Sequence, residues 1–252
     1  MKLKRYLWIA AFLIVLTISA LPTNSRERLQ TDQGFQLSTI GALNAGVYEG
    51  AATTAEIRKN GNFGLGTFEG LDGEMVVLDG RVYQVKSDGL AYFPADEVKT
   101  PFFAVAFFRK ERSFPLSGQS TYLNLQQQIN NQLPSQNLPY AIRIQGNFPY
   151  LKVRSEPKQT PPYRPLKDVL ATQQQVFELR NVQGTLVGFR LPQYFKDVNV
   201  AGYHFHFITD DRKRGGHLLD GQFLNPVVDV ETLKDWQIRL PNNSAFEQAP
   251  LD

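Results

Sequence analysis

The sequence has no cysteine and only three histidines in 252 residues. The missing thiols exclude disulfide staples, cysteine nucleophiles, thiolate metal sites and a lipid-modified amino-terminal cysteine. An excess of one charge is missing as well. Residues 1–25 carry Lys2, Lys4 and Arg5 and no acid, and the rest of the chain has 24 basic residues against 24 acidic ones. The sequence pI near 9.0 therefore belongs largely to that leader. No basic footprint for nucleic acid remains. Long apolar runs are confined to one stretch, Leu7 to Ala20, which is short of the roughly 20 residues a membrane span needs.

That stretch follows a basic start and precedes small and polar residues, the pattern of a secretory signal peptide over residues 1–25. The expectation is export, with an uncleaved membrane anchor as the alternative. Ala20 and Ser25 are the candidate cleavage positions. An exported chain without disulfides must draw its stability from its core, helped by a metal or by oligomerisation. Hydrophobic residues at 42% and charged residues at 20% suit a globular chain with a sizeable core.

Most of the remainder carries strand signals. Residues 26–36 read as a flexible lead-in, and "LSTIGALNAGVYEG" as a short helix or turn. The stretch beginning "TAEIRKNGNFGLGTF" is punctuated by Gly and Asp-Gly, with apolar residues alternating or in short runs, which predicts strands. Asp79-Gly80 between "EMVV" and "RVYQV" predicts a tight hairpin. Pro101–Phe108 reads as a buried strand, Ser120–Leu133 as a helix, and "YAIRIQGNFPYLKVRS" as a second hairpin. The proline-rich segment 156–166 is the expected connection between a β-rich half at 37–155 and another at 167–252. The fold class is α+β: mostly mixed or antiparallel sheet, in two sheet-based halves with few helices.

All three histidines fall in "GYHFHFITDDRKRGGHLLD". On a strand, residues two apart share a face, so His204 and His206 project together while Tyr203, Phe205 and Phe207 face the opposite way. A polar, glycine-ended turn can bring His217 back beside them on the return strand. Three neutral imidazoles from two neighbouring strands form a facial site on a hairpin of the C-terminal half, suited to Zn2+. Iron, nickel, manganese and copper are further candidates. Cupin barrels also use an H-x-H strand, but a glutamate ligand usually follows within a few residues. Here the sequence continues "FITDDRKRGG", without one.

The segments "GNFGLGTFEGLDGEMVVLDGRVYQVKSDG", "FPYLKVRS" and "GTLVGFRLPQYFKDVNVAGYHFHFITDDRKRGGHLLD" resemble the alpha-acetolactate decarboxylase family in content, order and spacing. The resemblance extends over about residues 35–249. It implies a carboxy-lyase that converts 2-acetolactate, a 2-hydroxy-3-keto acid, to acetoin and CO2. It further implies a zinc ion on His204, His206 and His217, a catalytic Glu74 in "LDGE", a catalytic and substrate-binding Arg154 in "VRS", a substrate-binding Thr67 in "GLGTF", and a homodimer. Read from pattern alone, Glu74 follows an Asp72-Gly73 turn where an exposed carboxylate is ordinary. Arg154 shares its strand face with Lys152, and Thr67 is an ordinary strand residue. The chemistry suits the set. The substrate carries a carbonyl beta to its carboxylate, so no organic cofactor is needed. A metal can act as the electron sink for the enediolate left by CO2, Arg154 can hold the carboxylate or the developing oxyanion, and Glu74 can protonate one face. The family usually continues past the segment resembling "SAFEQAPLD" into a tail with a further glutamate. Glu247 is the nearest candidate, off the motif, and the role is not carried over. Alternatives are another metal-assisted keto-acid lyase or isomerase, and a binding protein that kept the site without turnover.

Overall fold

The computed structural model describes residues 32–251. The expected signal peptide and the first part of the lead-in lie outside the described residues. The described chain runs β1 (Gln33–Leu37), α1 (Ile40–Asn44), β2 (Ala52–Thr53), α2 (Thr54–Asn60), β3 (Phe63–Thr67), β4 (Glu74–Leu78), β5 (Arg81–Val85), β6 (Ala91–Tyr92), β7 (Lys99–Thr100) and β8 (Phe103–Ala106). It continues with β9 (Arg112–Pro115), β10 (Gln119–Thr121), α3 (Tyr122–Gln132), β11 (Tyr140–Ser155), α4 (Leu166–Gln173), β12 (Gln175–Leu191), β13 (Gly202–Thr209), β14 (Gly215–Thr232), β15 (Asp235–Arg239) and α5 (Ser244–Glu247).

Two sheets dominate this α+β fold. The first has seven strands in the order β15-β1-β8-β3-β4-β5-β6; it is antiparallel except where β1 runs parallel to β15. The second is built on the long strands β14, β11, β12 and β13. Because β13 also pairs with β14, these four close on themselves. Leu65, Val76 and Val85 of the first sheet and Val187, Phe189 and Ile208 of the second share one buried cluster, so the sheets pack face to face. A second cluster fills the closed sheet with Ile142, Phe148, Phe205 and Phe207, capped by Leu125 and Ile129 of α3.

Several sequence expectations hold and others need correction. Asp79 and Gly80 both adopt positive φ, 52° and 75°, and join β4 to β5 as a two-residue turn. The helix expected over Ser120–Leu133 is α3. By contrast, "YAIRIQGNFPYLKVRS" is one strand, β11, and not a hairpin; register shifts against β14 around Gly146 absorb the turn-like residues. Residues 33–36 are strand where a flexible lead-in was expected, because β1 is flanked by β15 and β8 and buries Phe35 and Leu37. Thr54–Asn60 is helix within a stretch read as β-rich. Thr53 and Glu56 form a capping box there, and Ile57 is buried. The sheets also do not divide at 156–166: β15 returns to the first sheet, while β9, β10 and β11 belong to the second.

Candidate active site

His206 on β13 lies directly opposite His217 on β14, and His204 precedes it by one alternation. His217 Nδ1 sits 3.2 Å from both His204 Nε2 and His206 Nε2. The three ligand-capable atoms all fall within 4.8 Å of one another. His206 Nδ1 donates to the Met75 carbonyl at 2.7 Å, so its lone pair is on Nε2, the atom facing its neighbours. Burial drives His204 and His206 down to about 3, and the neighbouring His206 and Arg154 add to the fall for His204; burial and then Arg154 hold His217 well below the usual histidine range. The cluster is therefore three neutral imidazoles with converging nitrogen atoms. That donor set fits a divalent transition ion.

The first sheet supplies the acid. Gly73 takes φ 83°, a left-handed conformation that favours glycine, and the turn launches β4 with Glu74 as its first residue. Thr67, paired with Glu74 across β3 and β4, donates its hydroxyl to the Gly73 carbonyl at 2.7 Å and steadies that turn. Glu74 is 6% exposed. Its Oε2 lies 3.2 Å from His206 Nε2 and its Oε1 3.4 Å from an Arg154 guanidinium nitrogen. Burial raises the Glu74 pKa, and the charge of Arg154 opposes the rise.

Arg154 stands opposite His217 in the β11/β14 register. It also pairs with Glu156, which is 1% exposed. Thr67, Glu74, Arg154 and the three histidines line one cavity of about 410 Å3. Lys152, which simple alternation puts on the face of Arg154, is not among its lining residues. Glu247 is exposed on α5 and is not a lining residue either. Sequence reasoning missed Glu156, hidden at the start of a proline-rich segment read as a connection. It also missed the β12–β13 connection, whose Lys196, Asp197 and Asn199 form part of the wall. The available signal was position: that connection immediately precedes the histidine strand.

A buried acid, a guanidinium and a metal-competent histidine cluster, brought into one cavity by different strands, define an enzyme site. The sequence comparisons specify it further. The family described as alpha-acetolactate decarboxylase matches residues 35–252. An alpha-acetolactate decarboxylase of Klebsiella aerogenes is 47% identical over 221 residues, covering 86% of this chain and 83% of the relative. One of Methanosarcina mazei is 44% identical over 221 residues, covering 88% and 76%. The crystal structure of the Bacillus subtilis alpha-acetolactate decarboxylase superposes with a TM-score of 0.85 at 39% identity, covering 87% of this chain and 94% of that one. The chain belongs to the alpha-acetolactate decarboxylase family.

Proposed function

We propose that the protein decarboxylates 2-acetolactate to acetoin and CO2 at this cavity, with His204, His206 and His217 holding a divalent ion, zinc first. The observation that carries the reading is the meeting of Glu74 from one sheet with the three histidines of the other, inside a cavity of small-molecule size. When bound, the ion supplies Lewis acidity beside the substrate oxygens.

The chain's own residues account for the rest. The carbon–carbon bond to the carboxylate breaks, and its electron pair moves into the neighbouring ketone to leave an enediolate. Arg154 lines the cavity with a fixed positive charge, suited to the oxygen on which negative charge develops. Burial raises the Glu74 pKa and so favours its acid form, which suits it to deliver a proton to the carbon that lost CO2. Its fixed position at the head of β4 restricts delivery to one face, which sets the configuration of acetoin. Thr67 has its hydroxyl proton engaged with Gly73 and offers the substrate only an accepting oxygen. Ile40, Leu43, Phe102 and Leu166 give the cavity an apolar wall that limits water near the carbanion-like centre.

The test is acetoin release from 2-acetolactate by zinc-loaded protein, compared with the spontaneous rate and a chelated control. Catalysis abolished by chelation supports the reading. No rate above background from folded, zinc-bound protein overturns it. Export by the amino-terminal leader and assembly as a homodimer are parts of the same proposal. Sequencing the amino terminus of the protein recovered outside the cytoplasm, and light scattering, test them.

A further inference from the structure

Five charged side chains line the cavity: Glu74, Glu156, Asp197, Arg154 and Lys196. Arg154 is already engaged by two buried carboxylates, Glu74 and Glu156. Its charge is thus already partly offset by its buried neighbours before any substrate arrives. Lys196 differs. It is exposed at the end of the 3-10 turn Gln193–Phe195, tied there by its backbone N–H to the Gln193 carbonyl at 3.1 Å, and it makes no ion pair among the described residues. We propose that Lys196 is the residue that recruits and binds the substrate carboxylate, leaving Arg154 to hold Glu74 and Glu156 in place and to face the oxygen on which negative charge develops.

The chemistry favours this division. The carboxylate departs as neutral CO2, so a cation clamped on it deep in the site would stabilise the substrate more than the transition state and slow the reaction. A solvated lysine on the cavity wall attracts the anion without that cost, since its pairing is weak and screened. Asp197, the next residue, also lines the cavity and disfavours binding of an anion wherever Lys196 is absent. The inference rests on the decarboxylase reading for its substrate, and it is testable apart from turnover.

The variants are Lys196→Gln, Lys196→Arg and Lys196→Glu in the zinc-loaded full chain. Lys196→Gln should raise KM for 2-acetolactate about fivefold, the effect of one partly solvated ion pair, with kcat within about twofold. Lys196→Arg should restore KM, and Lys196→Glu should raise it further. Added salt should raise the KM of the unmodified protein more than that of Lys196→Gln. A second readout uses 2-hydroxy-2-methylpropanoate, which has the carboxylate and hydroxyl but no ketone and so cannot react. Its affinity, by calorimetry, should fall in Lys196→Gln by a similar factor. An unchanged affinity for this anion overturns the Lys196 inference whether or not the protein turns over. An unchanged KM, or a loss confined to kcat, does the same in active protein. Failure of the unmodified protein to release acetoin, with Lys196-dependent binding of the anion intact, would instead overturn the reaction.

Discussion

Glu74 is held between opposing influences: burial favours the neutral acid, while Arg154 favours the carboxylate. A residue poised this way can give up a proton and regain it, which a carboxylate in water near its ordinary pKa does poorly at neutral pH. Glu74→Gln keeps the size and the Arg154 contact but removes the proton. The variant should take up added zinc as the parent does, measured by elemental analysis, because the three histidines are untouched, and lose about a hundredfold or more in kcat. Normal turnover would remove Glu74 from the mechanism. Glu231, on the same strand as His217 but not among the cavity's lining residues, shows the same physics. It is fully buried on β14, accepts the Arg109 N–H at 2.9 Å, and is pushed up to about 7 first by burial, with Asp32 and Glu111 adding to the rise. Between the ordinary carboxylate range and about pH 7 the folded state therefore holds a proton that the unfolded chain has lost. Stability falls as pH rises through that window. Glu231→Gln, a permanently neutral mimic, should gain about 2 kcal/mol over the parent at pH 8 and little near pH 4, measured by urea denaturation.

One wall of the cavity is an irregular connection, residues 192–201, and its position depends on elements far away in sequence. Gln36 of β1 donates to the carbonyls of Ser38 and Val198 at 2.7 Å each, and accepts from Asn199 at 2.7 Å and from Trp236 of β15 at 3.1 Å. Both Gln36 and Asn199 are buried. The β1/β15 pair thus anchors the connection that carries Lys196 and leads into the histidine strand. Gln36→Ala would strand several buried polar groups, costing about 2–3 kcal/mol. It should lower the melting temperature and raise KM while leaving zinc content intact. Unchanged KM would show that the wall holds itself. None of this was legible in the sequence, since a lone glutamine in a five-residue strand has no pattern to announce it. The histidine hairpin was legible because its information is local: a period of two, a glycine-ended turn and a residue type used nowhere else. The Asp79-Gly80 turn was legible for the same reason, through two residues that accept positive φ. β11 was misread because Gly146-Asn147 looks like a turn until the long partners on both sides show it to be a bulge. Glu156 was missed because its meaning comes only from Arg154, Glu74 and a fold that brings them together.

Across the whole molecule, the site lies where the two sheets meet. Met75 and Glu74 of β4 touch His206 of β13, Glu74 touches Arg154 of β11, and the Ser155 hydroxyl donates to the Val85 carbonyl at 2.7 Å. With no cysteine, the chain has no disulfide to lock this seam. Apolar packing and these polar contacts join the sheets, and three imidazoles held neutral, two buried and His217 half-buried, make the seam a place where a cation would stabilise the fold. A ligand that binds only the folded state adds stability in proportion to the logarithm of its concentration over its dissociation constant, about 4 kcal/mol at a thousandfold excess. For a chain of this size that corresponds to a melting temperature about 10 °C higher. Chelation should therefore lower the melting temperature by that order as well as abolish turnover, and added zinc should restore both. In His217→Ala, chelation should leave the melting temperature nearly unchanged, because the cation has lost a ligand from β14 and with it the hold across the β13–β14 hairpin. A melting temperature indifferent to chelation in the unmodified protein would mean that the histidines stabilise the seam without an ion. Their neutrality would then be an end in itself and not a preparation for binding.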